Sequence, residues 1–144
     1  MLLSVLLIAG CGEDTNPETS PLKGKIEGGD WAFKYAKSIF NGIDDIHEAE
    51  LYGTQQDSTD PCSVFISSET HLSIIIPNAV GNYQVPSDLQ VVFELAGSGN
   101  DNFRATSGFV EVTEAAGGII VGYIQASYDD DNTVEGTFSF SRCN

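Results

Sequence analysis

The chain has 144 residues, 41% of them hydrophobic, and sets 21 Asp and Glu against 6 Lys and Arg for a formal charge of −15. That length holds one domain built around one core. The charge excludes a binder of nucleic-acid phosphates, which needs clustered Lys and Arg, and it repels anionic lipid headgroups.

Residues 1–10 (MLLSVLLIAG) are uncharged and almost wholly apolar. A membrane-spanning helix needs about 20 such residues, so this segment is predicted to be the apolar region of a secretory signal. The run Leu7-Ile8-Ala9-Gly10-Cys11 resembles the bacterial lipobox, in which a Cys follows a branched residue and two small ones. The resemblance implies cleavage before Cys11 and a lipid on its sulfur. Residues 11–21 (CGEDTNPETSP) are polar, contain Pro and lack apolar periodicity, so they are expected to form a flexible tether. Glu13 and Asp14 directly after Cys11-Gly12 resemble the acidic export signal of surface-displayed lipoproteins of the Bacteroidota. A periplasm-facing lipoprotein is the other reading. With Cys11 lipidated, Cys62 and Cys143 remain, and an oxidising compartment lets them form a disulfide. The bond would close a loop of roughly 80 residues and, in the chain-entropy model, stabilise by ~4 kcal/mol.

From residue 22 onward period-2 alternation recurs between Gly, Asn, Asp and Pro, and no window keeps a helical period for long. Trp31, Phe33 and Tyr35 alternate with Ala32, Lys34 and Ala36, between a turn at Gly28-Gly29-Asp30 and another at Asn41-Gly42. A helix over residues 31–40 is the competing reading. Further strands are expected over residues 46–53 and 62–67, around Leu72, Ile74 and Ile76, at Tyr83 and Val85, and over residues 89–96. A glycine-rich loop then spans residues 97–102. Residues 103–113 form another expected strand, with a bulge or a break expected at Gly108. Residues 118–128 and 133–141 are expected to pair through a turn at residues 129–132. In the last strand Val134, Phe138 and Phe140 fall on one face and Glu135, Thr137 and Ser139 on the other. Residues 22–144 are therefore expected to be a single all-β domain, an antiparallel sandwich or barrel of about 8–10 short strands.

Several segments together resemble small uncharacterised lipoproteins of the Bacteroidota. They are Gly24-Lys25-Ile26-Glu27-Gly28 leading into Trp31-Ala32-Phe33, Glu50-Leu51-Tyr52, Asp60-Pro61-Cys62, Pro77, and Gly81-Asn82-Tyr83. Gly122-Tyr123-Ile124, Gly136-Thr137-Phe138 and Cys143 complete the set. The resemblance implies a shared all-β domain and an outer-membrane location; it implies no catalytic residue.

Chemistry-bearing residues are sparse. His47, within Asp44-Asp45-Ile46-His47-Glu48-Ala49-Glu50, shares a strand face with Asp45 alone, too few ligands for a metal, and reads as part of a solvated acidic strand. His71 reads as an exposed strand-end residue. Asp129, Asp130 and Asp131 are weak calcium candidates, since Asp and Asn are also ordinary turn formers. Asp57 and Asp60 flank a similar loop. Trp31, Tyr35, Tyr52, Tyr83, Tyr123 and Tyr128 either stack on sugars or belong to the core. The loop with Gly97, Ser98, Asn100 and Asp101 is similar to the inserted loop of membrane-bound lysozyme inhibitors. Together with Trp31 these residues are the candidate partner contacts. No cofactor, resident metal or catalytic set is expected. The chain is expected to be a non-enzymatic binding or structural module whose only membrane contact is its lipid. The alternatives are an acidic inhibitor of a basic enzyme such as lysozyme, a glycan-binding surface lipoprotein, and a barrel enclosing an apolar ligand.

Overall fold

The computed structural model describes residues 20–53, Cys62, residues 69–97 and residues 102–143. Alternation builds eleven strands among them: β1 (Lys23–Ile26), β2 (Gly29–Ala32), β3 (Tyr35–Asn41), β4 (Ile46–Tyr52), β5 (His71–Pro77), β6 (Gly81–Val85), β7 (Val91–Glu94), β8 (Phe103–Arg104), β9 (Ser107–Ala116), β10 (Ile119–Asp129) and β11 (Asn132–Ser141). They form two antiparallel sheets, one ordered β2-β1-β11-β10-β9-β6 and the other β3-β4-β5-β7-β8. The fold is an all-β sandwich. The strand-forming reading of residues 31–40 holds and the helical one does not.

Each strand buries one set of alternate side chains. Val110, Val112, Ile120, Ile124, Val134, Phe138 and Phe140 of the six-stranded sheet form one core with Leu51, Leu72, Ile74, Ile76, Val91 and Phe93 of the five-stranded sheet. The expected split of the last strand is therefore observed: Val134, Phe138 and Phe140 are buried, while Glu135 and Ser139 are exposed.

Two segments that alternate without interruption are each two strands in different sheets. Between β2 and β3, the Phe33 N–H donates to the Leu22 carbonyl and the Lys34 N–H to the Tyr52 carbonyl, both near 2.9 Å, so consecutive residues bond to opposite layers. Between β8 and β9, Ala105 donates to Val91 and Thr106 to Ser127 in the same manner. At both places the chain turns a corner of the sandwich. The expected turn at Gly28-Gly29-Asp30 is also displaced. Glu27 and Gly28, with φ of 54° and 74°, form the two-residue loop, and Gly29 and Asp30 already belong to β2. Two successive positive φ angles suit the twist of a tight hairpin.

The expected bulge in residues 103–113 lies elsewhere than at Gly108. Val121 pairs with Glu114 and Gly122 with Val112, so Thr113 is the extra residue of β9. Gly108 marks a close approach instead. At φ 132°, a Cβ there would lie 1.9 Å from the Gln125 carbonyl oxygen. Of the expected strand over residues 89–96, only Val91–Glu94 is extended. Of residues 62–67, only Cys62 lies within the described set.

Cys62 is bonded to Cys143 across a sequence separation of 81. The Cys143 N–H also donates to the Ser38 carbonyl at 2.6 Å, which places the end of the chain against β3, an edge of the five-stranded sheet.

Candidate interaction surface

The sandwich presents different chemistry at its two ends. One end carries the β3–β4 turn (residues 42–45), the β5–β6 turn (residues 78–80), the β9–β10 turn (Gly117 and Gly118) and Arg142. In the first turn Asn41 Oδ1 accepts from the Ile43 N–H at 3.0 Å and from the Asp44 N–H, while Asn41 Nδ2 donates to Asp44 Oδ2 at 2.9 Å. This is the local Asx bonding that lets Asn open a turn. Asp45 then takes φ 53°, a conformation Asp tolerates better than most residues.

Asn78 locks this turn to its neighbour. Its N–H donates to the Asp45 carbonyl at 2.9 Å and its Nδ2 to Asp45 Oδ1 at 3.0 Å. That orientation leaves Asn78 Oδ1 to accept from His47 Nε2 at 3.2 Å. His47 Nδ1 in turn lies 3.3 Å from Ser38 Oγ. His47 is 1% exposed and Ser38 is fully buried. The imidazole sits 5.0 Å from the Phe40 ring and 6.2 Å from Phe140. The expectation of a solvated His47 is thus corrected. It belongs to the inward set with Ala49 and Leu51, and its polar atoms are satisfied in place. Ser38, His47 and Asn78 stand in the order of a hydrolytic relay, but a nucleophile must be reached by its substrate. Sealed between the sheets, this pair instead anchors the turn.

With its polar groups bonded to one another and to Asn78, the turn presents Ile43 at 95% exposure. Val80, 66% exposed, tips the neighbouring turn. Ile39 and Ile75 flank Glu48 in one cross-strand row on the adjoining outer face, and both are exposed. Ile119 opens β10 at the same end. The Arg142 N–H donates to the Gly118 carbonyl, and its guanidinium lies 5.5 Å from the Phe40 ring centre. Five of the six large apolar side chains exposed among the described residues thus lie at this end or within three residues of its turns. The sixth, Tyr128, stacks on Phe103 near the other end. Sequence reading recognised the turn but passed over Ile43. The available signal was an Ile enclosed by Asn, Gly and two Asp, where no core-facing alternation explains it.

The residues named as candidates from sequence scatter. Trp31 is 8% exposed and packs in the core. Its Nε1 finds no hydrogen-bond partner among the described residues. A shallow groove of about 500 Å³, lined by Lys23, Lys25, Asp30 and Ala32 among others, runs past it. Gly97 is exposed in open space at φ 75°. Ser98, Asn100 and Asp101 lie outside the described residues, as do Cys11, Asp57 and Asp60.

The aspartates of the β10–β11 turn do not converge as calcium ligands. One Asp129 oxygen accepts from the Asp131 N–H at 3.0 Å and from Asn132 Nδ2 at 2.9 Å. Asn132, buried, then accepts from the Glu27 N–H at 2.9 Å and ties the two hairpin turns together. Among the described residues no group of three His, Cys, Asp or Glu could hold a metal ion.

The six aromatics share no platform. Tyr35 and Tyr52 stack at 5.0 Å on the outer face of the five-stranded sheet. Tyr123 lies on the other sheet against Phe109. His71, rather than standing free at a strand end, stacks on Tyr52 at 4.7 Å and donates from Nδ1 to the Glu69 carbonyl. Tyr52 is 2% exposed and donates its hydroxyl to Glu50 at 2.6 Å. Burial foremost, then that bond and the Glu50 charge, push its phenol far above the usual range.

No protein-family model matches this chain, and no curated protein or solved structure does either.

Proposed function

We propose that this chain is a lipid-anchored protein of the outer membrane whose β-sandwich binds a partner and performs no chemistry on it. The observation that carries this reading is the Cys62–Cys143 disulfide. Such bonds persist in oxidising compartments, and the pairing leaves Cys11 as the one other cysteine of the chain, at the end of an apolar leader. The Ser38–His47 pair supports a non-catalytic reading of that site, because it faces the inter-sheet core.

Cell fractionation tests the anchor. The natural chain should sediment with membranes, and Cys11→Ala should move it to the soluble fraction. A Cys11→Ala variant that stays with membranes would overturn the reading. The charge of −15 favours one second reading, inhibition of a basic enzyme. Lysozyme slowed by the purified protein at low ionic strength, and released as salt rises, would establish it.

A further inference from the structure

We infer that the turn end carrying Ile43 and Val80 is the docking surface for a protein that offers an apolar pocket ringed by Lys and Arg. This rests on the binding reading above and names the partner chemistry.

Two observations mark the surface. The first is preorganisation. The Ile43 turn is held by Asn41 from within and by Asn78 from the side, and Asn78 is itself held by the buried His47. A side chain 95% exposed on a fixed backbone loses little freedom beyond its own rotamers when a partner covers it. The second is clustering. Val80 tips the neighbouring turn, and Ile39 and Ile75 stand either side of Glu48 on the outer face of the sheet that carries the Ile43 turn, whereas single exposed apolar residues are normally scattered.

Charge then selects the occupant. Exposed Asp44, Asp45 and Glu48 surround the apolar residues, and exposed Glu114 lies close to the β9–β10 turn, against Arg142 at this end and Lys37 beside Ile39 on the outer face. A second copy would bring the same carboxylates and another net −15 to the interface. An anionic membrane would repel the surface in the same way. A basic protein is attracted at long range, and its association rate gains from that field.

A photo-crosslinking residue placed at Ile43 in the full-length protein, in the cells that make it, tests the inference, with the same residue at Tyr128 as the control at the opposite end. The expected result is a crosslink from position 43, and none from position 128, to a protein of net positive charge. With that protein purified, Ile43→Ser should weaken binding tenfold or more, as for a central apolar anchor. Asp44→Asn and added salt should slow association with little effect on dissociation. Ile43 packs against no core residue, so its variant keeps the fold, which circular dichroism checks.

Crosslinking at position 43 to a second copy, to lipid, to an acidic protein or to nothing overturns the inference. So does an Ile43→Ser variant that binds unchanged. The anchor fails separately. If Cys11→Ala stays membrane-bound while position 43 still captures a basic protein, the docking surface stands and the lipoprotein reading falls.

Discussion

Tyr52 and Asn78 show how single side chains decide the behaviour of this sandwich. The Tyr52 phenol is held protonated by burial and by its bond to Glu50. An unfolded tyrosine ionises near 10.0. Below that pH both states keep the proton and the stabilisation is intact. Above it the unfolded chain releases a proton that the folded chain retains, so stability falls as pH rises, by at most ~1.4 kcal/mol per pH unit for this one group. Tyr52→Phe should therefore lose less stability than the natural chain between pH 9 and 11 in urea titrations, the remaining phenols being common to both. Equal slopes would show that Tyr52 ionises alike in both states. Asn78 stabilises the same fold at a different point. Asn78→Ala leaves His47 Nε2 buried without its acceptor, which costs about 1–3 kcal/mol. Thermal unfolding should shift down by several degrees, and exchange of the Ile43 and Asp44 amides should quicken. The sequence did contain the inward position of His47, since it alternates with buried Ala49 and Leu51. The acids on either side masked it, because a run of Asp and Glu reads as solvated whichever face the histidine takes.

At the scale of elements, alternation identified strands reliably and their partners poorly. The final hairpin was legible because β10 and β11 are long, adjacent in sequence and separated by turn residues. Residues 31–40 and 103–113 were not legible as crossings. A chain that turns a sandwich corner keeps its period of two, and the hydrogen bonds that reveal the change of sheet involve Leu22, Tyr52, Val91 and Ser127, which are remote in sequence. Glycines likewise split into kinds that composition does not separate. Gly108 lies where a Cβ would meet the Gln125 backbone at 1.9 Å, whereas Gly117, at φ 63°, has open space around it. Gly108→Ala must displace β10 and should cost about 3 kcal/mol or more, within the range of strain and overpacking effects. Gly117→Ala meets only the left-handed backbone preference and should cost about 1 kcal/mol. Chemical denaturation of the two variants side by side decides this. Similar losses at both positions would mean that the β9–β10 pair separates easily at Gly108.

For the whole molecule, the disulfide matters because of where it holds the end of the chain. Beyond β11 the chain leaves the six-stranded sheet, crosses Phe40 with Arg142 and bonds Ser38 through the Cys143 N–H. Cys143 thereby covers part of the edge of β3, and an uncovered edge offers free N–H and C=O groups to another strand. The bond to Cys62 constrains the unfolded chain over a separation of 81 residues, worth up to about 4 kcal/mol in the chain-entropy model. Cys62→Ser, Cys143→Ser and the double variant should therefore lose nearly the same stability, because each deletes one shared constraint. Reductant should lower the natural chain to that level and leave all three variants where they are. The reduced chain should also aggregate sooner than the oxidised one at equal concentration, since the edge of β3 loses its covalent cover. A double variant much less stable than either single one would show that the two residues act through separate packing. Insensitivity of the natural chain to reductant would show that the bond does not hold this corner at all.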